Sequence, residues 1–162
     1  MDDDPHETGI PVEAARAAAQ LGRTVSVALA RSELTPAGYR LLAYLATGDT
    51  ASKVLAAKLA VSRPVVTATL DWLEPRGYVT RRQDGSDRRR VEIAITDEGR
   101  RALQEADRLV IERLTDVTAN LEPARVAELV AALQELGVAL NEFRARGIDP
   151  DSGRFVERDV AP

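Results

Sequence analysis

Residues 76–99 constrain this chain more than any other stretch: Arg-Gly-Tyr-Val-Thr-Arg-Arg-Gln-Asp-Gly-Ser-Asp-Arg-Arg-Arg-Val-Glu-Ile-Ala-Ile-Thr-Asp-Glu-Gly. Tyr78-Val79-Thr80 leads into a bend made by Asp84-Gly85-Ser86-Asp87, and Val91-Glu92-Ile93-Ala94-Ile95 leads out with apolar and small or polar residues alternating. Two short β-prone runs around such a bend read as a hairpin. Elsewhere the apolar residues recur at helical spacing. The expected fold class is mainly α with a small β-hairpin. A block of arginines on a hairpin held out from a helical body suits a polyanion.

Charge agrees once it is resolved along the chain. The whole sequence is −4, but between Lys53 and Arg90 nine basic residues stand against four acids, a local +5 that leaves −9 for the rest. Screening at physiological salt limits each charge to about 8 Å, so local charge decides contact with nucleic acid. A basic middle on an acidic body is compatible with a directed DNA face.

Composition excludes several other classes. With no cysteine there is no disulfide scaffold, thiolate metal site or thiol redox switch. One histidine, His6, lies in an acidic leader, and there is no Gly-rich phosphate loop, so neither a catalytic site, a metal site nor a cofactor is expected. No apolar run approaches the roughly 20 residues that cross a bilayer. The start, Met-Asp-Asp-Asp-Pro-His-Glu, lacks the basic and apolar regions of a signal peptide. A cytoplasmic protein with no membrane partner is the expectation.

Six helices are expected around the hairpin. The first runs from Pro11 to about Arg31, with Leu21, Val25, Ala28 and Leu29 at helical spacing. Thr35 caps the second and Pro36 takes its first position, where a missing N–H costs nothing; Leu41, Leu42 and Leu45 point inward. Ser52 can cap a short third helix through Ala60. Ser62 caps a fourth whose stripe is Val66, Leu70 and Leu73, and Gly77 fits the left-handed position that closes it. Thr96 caps a fifth, roughly 97–119, and Pro123 opens a sixth with Val126, Leu129, Val130, Leu133, Leu136 and Leu140 as a long apolar seam. Two short helices followed by a basic hairpin outline a winged helix-turn-helix. The outer helices carry more apolar seam than the central lobe can cover, and the economical partner is a second copy of the chain. Four segments result: 1–33, an acidic leader and first dimerisation helix; 34–99, the DNA-binding lobe; 100–146, the long dimerisation helices; and 147–162, a C-terminal tail.

Three stretches then resemble the MarR (multiple antibiotic resistance regulator) family of bacterial transcriptional regulators. Leu34-Thr35-Pro36-Ala37-Gly38-Tyr39-Arg40-Leu41-Leu42 is similar to its second helix, and residues 55–67, Leu-Ala-Ala-Lys-Leu-Ala-Val-Ser-Arg-Pro-Val-Val-Thr, to its helix-turn-helix. Asp87-Arg88-Arg89 followed by Ile95-Thr96-Asp97-Glu98-Gly99 resembles the wing and the start of the next helix. Pro75 and Trp72 depart from positions that are usually polar. The resemblance implies a homodimer, held by the N- and C-terminal helices, on a pseudo-palindromic double-stranded operator. One recognition helix would enter each major groove and the wings the flanking minor grooves. Repression is the expected sense of regulation.

The resemblance also distributes roles. Arg89 matches the position that enters the minor groove, where potential is concentrated and the weakly hydrated guanidinium fits; Asp87 would pair with an arginine and brace the wing. Arg81, Arg82, Arg88 and Arg90 read as phosphate contacts or solvated charge. With Val66, Leu70 and Leu73 inward, the groove-facing set is Ser62, Arg63, Pro64, Val65, Thr67 and Ala68; Arg63 can grip guanine or phosphate, and Val65, Thr67 and Ala68 can touch thymine methyls. Thr35, besides capping, can approach the DNA backbone, and Lys53 and Lys58 are phosphate contacts or plain surface lysines. Many family members hold a small aromatic or lipophilic acid between the dimerisation helices and the DNA-binding lobe. Tyr39, Tyr44 and Trp72 are the residues to line such a cleft, or else simple core and surface aromatics. The rival to a DNA-binding regulator is a winged helix whose basic hairpin grips an acidic protein partner.

Overall fold

The structure, a computed structural model, describes residues 9–48, 59, 61–83 and 91–145, with the backbone alone at 63, 83, 91, 144 and 145. In chain order it comprises α1 (Val12–Leu29), α2 (Pro36–Ala46), α3 (Arg63–Leu73), a 3-10 turn (Glu74–Arg76), β1 (Val79–Gln83), β2 (Val91–Ile95), α4 (Asp97–Thr118) and α5 (Pro123–Ala145). α3, α4 and α5 are the fourth, fifth and sixth helices expected from the sequence. The expected third helix, over 52–60, lies outside the described residues except for Leu59, which is helical and buried.

Local chemistry sets most boundaries. Thr35 Oγ1 accepts from the Gly38 N–H at 3.1 Å, capping α2 with Pro36 in its first turn. Thr96 Oγ1 accepts from the Gly99 N–H at 3.0 Å, and Asp97 and Glu98 complement the positive end of α4. Behind α3, Gly77 takes φ 72°, the Gly77 N–H donates to Glu74 O at 2.9 Å and the Tyr78 N–H to Leu73 O at 3.2 Å. That pair is a Schellman closure, and it turns the chain into β1. α1 begins at Pro11 with no side-chain cap, and packing rather than capping holds it: its last turn buries Ala28 and Leu29 against α4.

One core unites these elements. Leu41 and Leu42 of α2, Val66, Leu70 and Leu73 of α3, Val79, Ile93 and Ile95 of the hairpin, and Leu103, Ala106 and Val110 of α4 are all buried together. Each of these leucine, isoleucine and valine side chains stabilises by about 1.5–3 kcal/mol relative to exposure. β1 and β2 pair antiparallel with Val79 opposite Ile95 and Arg81 opposite Ile93. The two-residue period therefore puts 79, 81, 93 and 95 on the helix-facing side, and Thr80, Arg82, Glu92 and Ala94 outward.

α5 stands apart from this core. Of the expected seam, Val126 is half-buried, while Leu129, Val130, Leu133, Leu136 and Leu140 are 40–52% exposed in the single chain, and Val138 and Phe143 are exposed beside them. Among the described residues no helix is long and apolar enough to cross a membrane.

Candidate nucleic-acid interface

Helix α3 is held by one side and presents the other. Val66, Leu70 and Leu73 are 0–3% exposed, at the spacing that keeps one stripe on the core. Pro64, Val65, Thr67, Ala68 and Asp71 are exposed on the opposite side. Of the expected groove-facing set, the structure thus brings Pro64, Val65, Thr67 and Ala68 onto one surface; Ser62 sits half-buried at the helix start, and the Arg63 side chain is not described. The expected Ser62 cap needs correction. Ser62 occupies the cap position, with φ −68° and ψ 155°, but its side chain makes no cap hydrogen bond. Pro64 supplies no N–H, and the Val65 and Val66 N–H groups donate instead to the Ser62 carbonyl at 3.0 and 3.2 Å.

The hairpin is fastened to the C-terminal end of α3 by a residue the sequence reading put elsewhere. Arg81 lies on the helix-facing side of β1, and its Nη2 donates to Asp71 Oδ1 at 2.6 Å while Nε comes within 3.3 Å of Glu74 Oε2. The second contact is electrostatic only, since Nε lacks hydrogen-bond geometry there. The Arg81 side chain is 25% exposed and its carboxylates more so, which limits the pairs to about 1 kcal/mol. Arg81 is accordingly a brace between hairpin and helix before it is a phosphate contact. Strand alternation, counted from Val79, was the signal that could have found it. Arg82 on the other side faces solvent opposite Glu92. Asp87, Arg88, Arg89 and Arg90, and likewise Lys53 and Lys58, lie outside the described residues.

The hairpin base is locked just as closely. Thr96 Oγ1 donates to Gly77 O at 2.6 Å, and the Thr96 N–H donates to Tyr78 O at 3.1 Å. One threonine therefore joins the end of α3, the start of β1 and the first turn of α4. The close approach requires Gly99: a Cβ there would meet Tyr78 O at 2.1 Å.

A helix with a seated inner stripe, an exposed outer face and a braced hairpin beside it is a winged helix-turn-helix, and residues 32–90 match the model of the MarR family. The match covers the winged-helix segment of the chain. Among solved structures it is similar to the transcriptional repressor CouR bound to a 23-mer DNA duplex, at 29% identity over 85% of this chain and 99% of that one, with a TM-score of 0.64. CouR from Rhodococcus jostii RHA1 bound to p-coumaroyl-CoA is 28% identical over 75% of this chain and 87% of that one, with a TM-score of 0.58. Wild-type MarR from E. coli in its apo form, 24% identical over 78% of this chain and 96% of that one with a TM-score of 0.67, shares the fold. The chain is thereby a transcription regulator of the DNA-binding winged-helix type.

In this winged-helix architecture the three aromatics named from the sequence have separate partners. Tyr39 Oη donates to Asp107 Oδ1 at 2.7 Å, tying α2 to α4; burial, then the Asp107 carboxylate, push its phenol well above the ordinary tyrosine value. Tyr44 Oη donates to Asn141 Oδ1 at 2.9 Å, tying α2 to α5. Trp72 leans toward Gly38 from α3 and carries the Arg76 guanidinium 3.9 Å from its ring centroid. A depression of about 320 Å³ does lie where the end of α1 and the start of α4 meet the hairpin base, but Ser32, Glu33, Tyr78, Arg101 and Glu105 line it rather than the three aromatics. Tyr78 there donates to Glu33 Oε2, and that hydrogen bond, with burial, pushes its phenol up to about 12. Thr35 keeps its hydroxyl on the α2 cap.

Proposed function

We propose that the chain acts as a homodimeric repressor on a pseudo-palindromic operator, with one α3 in each of two successive major grooves and the arginine hairpins reaching the flanking minor grooves. The observation that carries the reading is the exposed, rigidly backed outer face of α3 beside a hairpin that Arg81 and Thr96 hold in place. Dimerisation is supported by the α5 seam, whose leucines remain 40–52% exposed in a single chain and need a second apolar surface. CouR, a repressor, binds DNA in one similar structure and p-coumaroyl-CoA in another, which supports relief by a small aromatic or lipophilic ligand. Tyr39–Asp107 and Tyr44–Asn141 tie α2 to α4 and α5, so a ligand that tilts those arms would carry the DNA-binding lobes with them. Recognition helices about 34 Å apart could then no longer fit both grooves.

Selection from a random duplex pool, followed by stoichiometric titration, tests the proposal. An enriched inverted repeat taken up by two chains per duplex is expected. Binding to an acidic protein with no duplex enriched would replace this reading with the protein–protein one.

A further inference from the structure

We infer that α3 selects its sites through pyrimidine C5-methyl groups in the major groove, with Val65, Thr67 and Ala68 making the contact. This rests on the DNA-binding reading above and concerns what the same helix prefers. The N-terminal turns of a recognition helix are those that reach base edges. Among the described side chains of α3, the exposed side of those turns consists of Pro64, Val65, Thr67 and Ala68, with Val65 44% exposed. Two-pronged hydrogen bonding to a base edge requires Arg, Lys, Asn or Gln. Over residues 63–73 the sequence has no Lys, Asn or Gln, and its one arginine is Arg63 at the first position. Its one acid, Asp71, holds the Arg81 guanidinium at 2.6 Å, and Thr69 commits its hydroxyl to Val65 O at 2.8 Å. What remains on the face beyond Arg63 is the Thr67 hydroxyl and a set of methyl groups from valine, threonine and alanine. The complementary feature of a base pair in that groove is the thymine C5-methyl, which cytosine shares only when methylated.

The closing experiment uses the full chain and the duplexes it selects from a random pool. Thymidines in each enriched half-site are replaced one at a time by deoxyuridine, which removes the C5-methyl and leaves the hydrogen-bonding edge intact. At a contacted position, binding should weaken about fourfold per methyl lost, and about fifteenfold when the change is made in both half-sites. 5-Methylcytosine at that position should bind better than cytosine. Deoxyuridine also alters duplex shape, so the Val65→Ala, Thr67→Ser double variant provides the second reading: its affinities for thymidine and deoxyuridine duplexes should converge. Both substitutions are on the exposed side, and the hydroxyl of residue 67 is kept. Equal wild-type affinity for the two duplexes, or a thymine preference undiminished in the double variant, overturns the inference while leaving DNA binding intact. No enriched sequence at all overturns the DNA-binding reading, and this inference with it.

Discussion

Gly99→Ala should damage this protein although alanine is the better helix former. Its Cβ would stand 2.1 Å from Tyr78 O and 2.9 Å from the carbonyl carbon, where ordinary contact begins at 3.4 Å. The obstacle is backbone, and it is fixed from two sides: Tyr78 O accepts from the Thr96 N–H at 3.1 Å, and Thr96 Oγ1 bonds Gly77 O at 2.6 Å. Making room means moving the first turn of α4 by about an ångström away from the hairpin base. Overpacking strain of this kind costs about 1–3 kcal/mol. Loosening the Thr96 cap adds about 1 kcal/mol, and weakening one backbone hydrogen bond about as much again. The helix-propensity gain of about 1 kcal/mol only partly offsets these. The net loss is about 2–4 kcal/mol, or about 4–16 °C in Tm for a chain of this size. Gly22→Ala in α1 is the control, because nothing lies within 4 Å of its Cβ position, and there a rise of about 2–4 °C is expected. Thermal melts followed by circular dichroism measure both. A Gly99→Ala protein melting within about 1 °C of wild type would refute the close-approach argument.

The Arg81 brace predicts that Arg81→Gln weakens operator binding several-fold while the dependence on salt keeps its slope; a slope lowered by about one would instead make Arg81 a phosphate contact. Leu133→Glu places a charge in the α5 seam, where the native side chain is 43% exposed in the single chain, and should yield a monomer by sedimentation with operator affinity largely lost; a dimer of unchanged strength would move the interface elsewhere. Tyr78 has its folded-state pKa raised from 10.0 to about 12, chiefly by the Glu33 hydrogen bond, so its contribution to stability is whole below pH 10 and is lost as pH rises toward 12. Ultraviolet phenolate titration of wild type and Tyr78→Phe should show one tyrosine fewer titrating near pH 12, and Tyr78→Phe should flatten the fall in stability over that interval. Identical titration curves would remove the Glu33 contact from the account.

Much of this fold can be read from residues whose constraints are local. Thr35, Thr96 and Gly77 do what capping chemistry requires, and the spacing of Val66, Leu70 and Leu73 identifies the buried side of α3. The outward set Pro64, Val65, Thr67 and Ala68 follows by subtraction. Ser62 departed: it holds the cap position of α3, but the Val65 N–H that its hydroxyl could have met donates to the Ser62 carbonyl. Arg81 was legible in principle, since period-two alternation from Val79 turns it inward, but its positive charge argued for the outside. Contacts between distant segments were not legible. Tyr39 and Asp107 are 68 positions apart and Tyr44 and Asn141 are 97 apart, so only the packing of α2 on the long helices brings them together. Gly99 belongs with these, because the atom that demands it sits on the far side of the hairpin.

The salt dependence of binding to a selected operator tests the central claim most directly, namely that the α3 face and the arginine hairpin together form a DNA-reading surface. Three hairpin arginines per chain, Arg88, Arg89 and Arg90, in a dimer would release about six counterions, giving a log–log slope near −5 for wild type. Arg89→Ala should bind at least several-fold more weakly with an almost unchanged Tm. A wild-type affinity that does not respond to salt, or an Arg89→Ala protein that binds as tightly as wild type, would contradict the account.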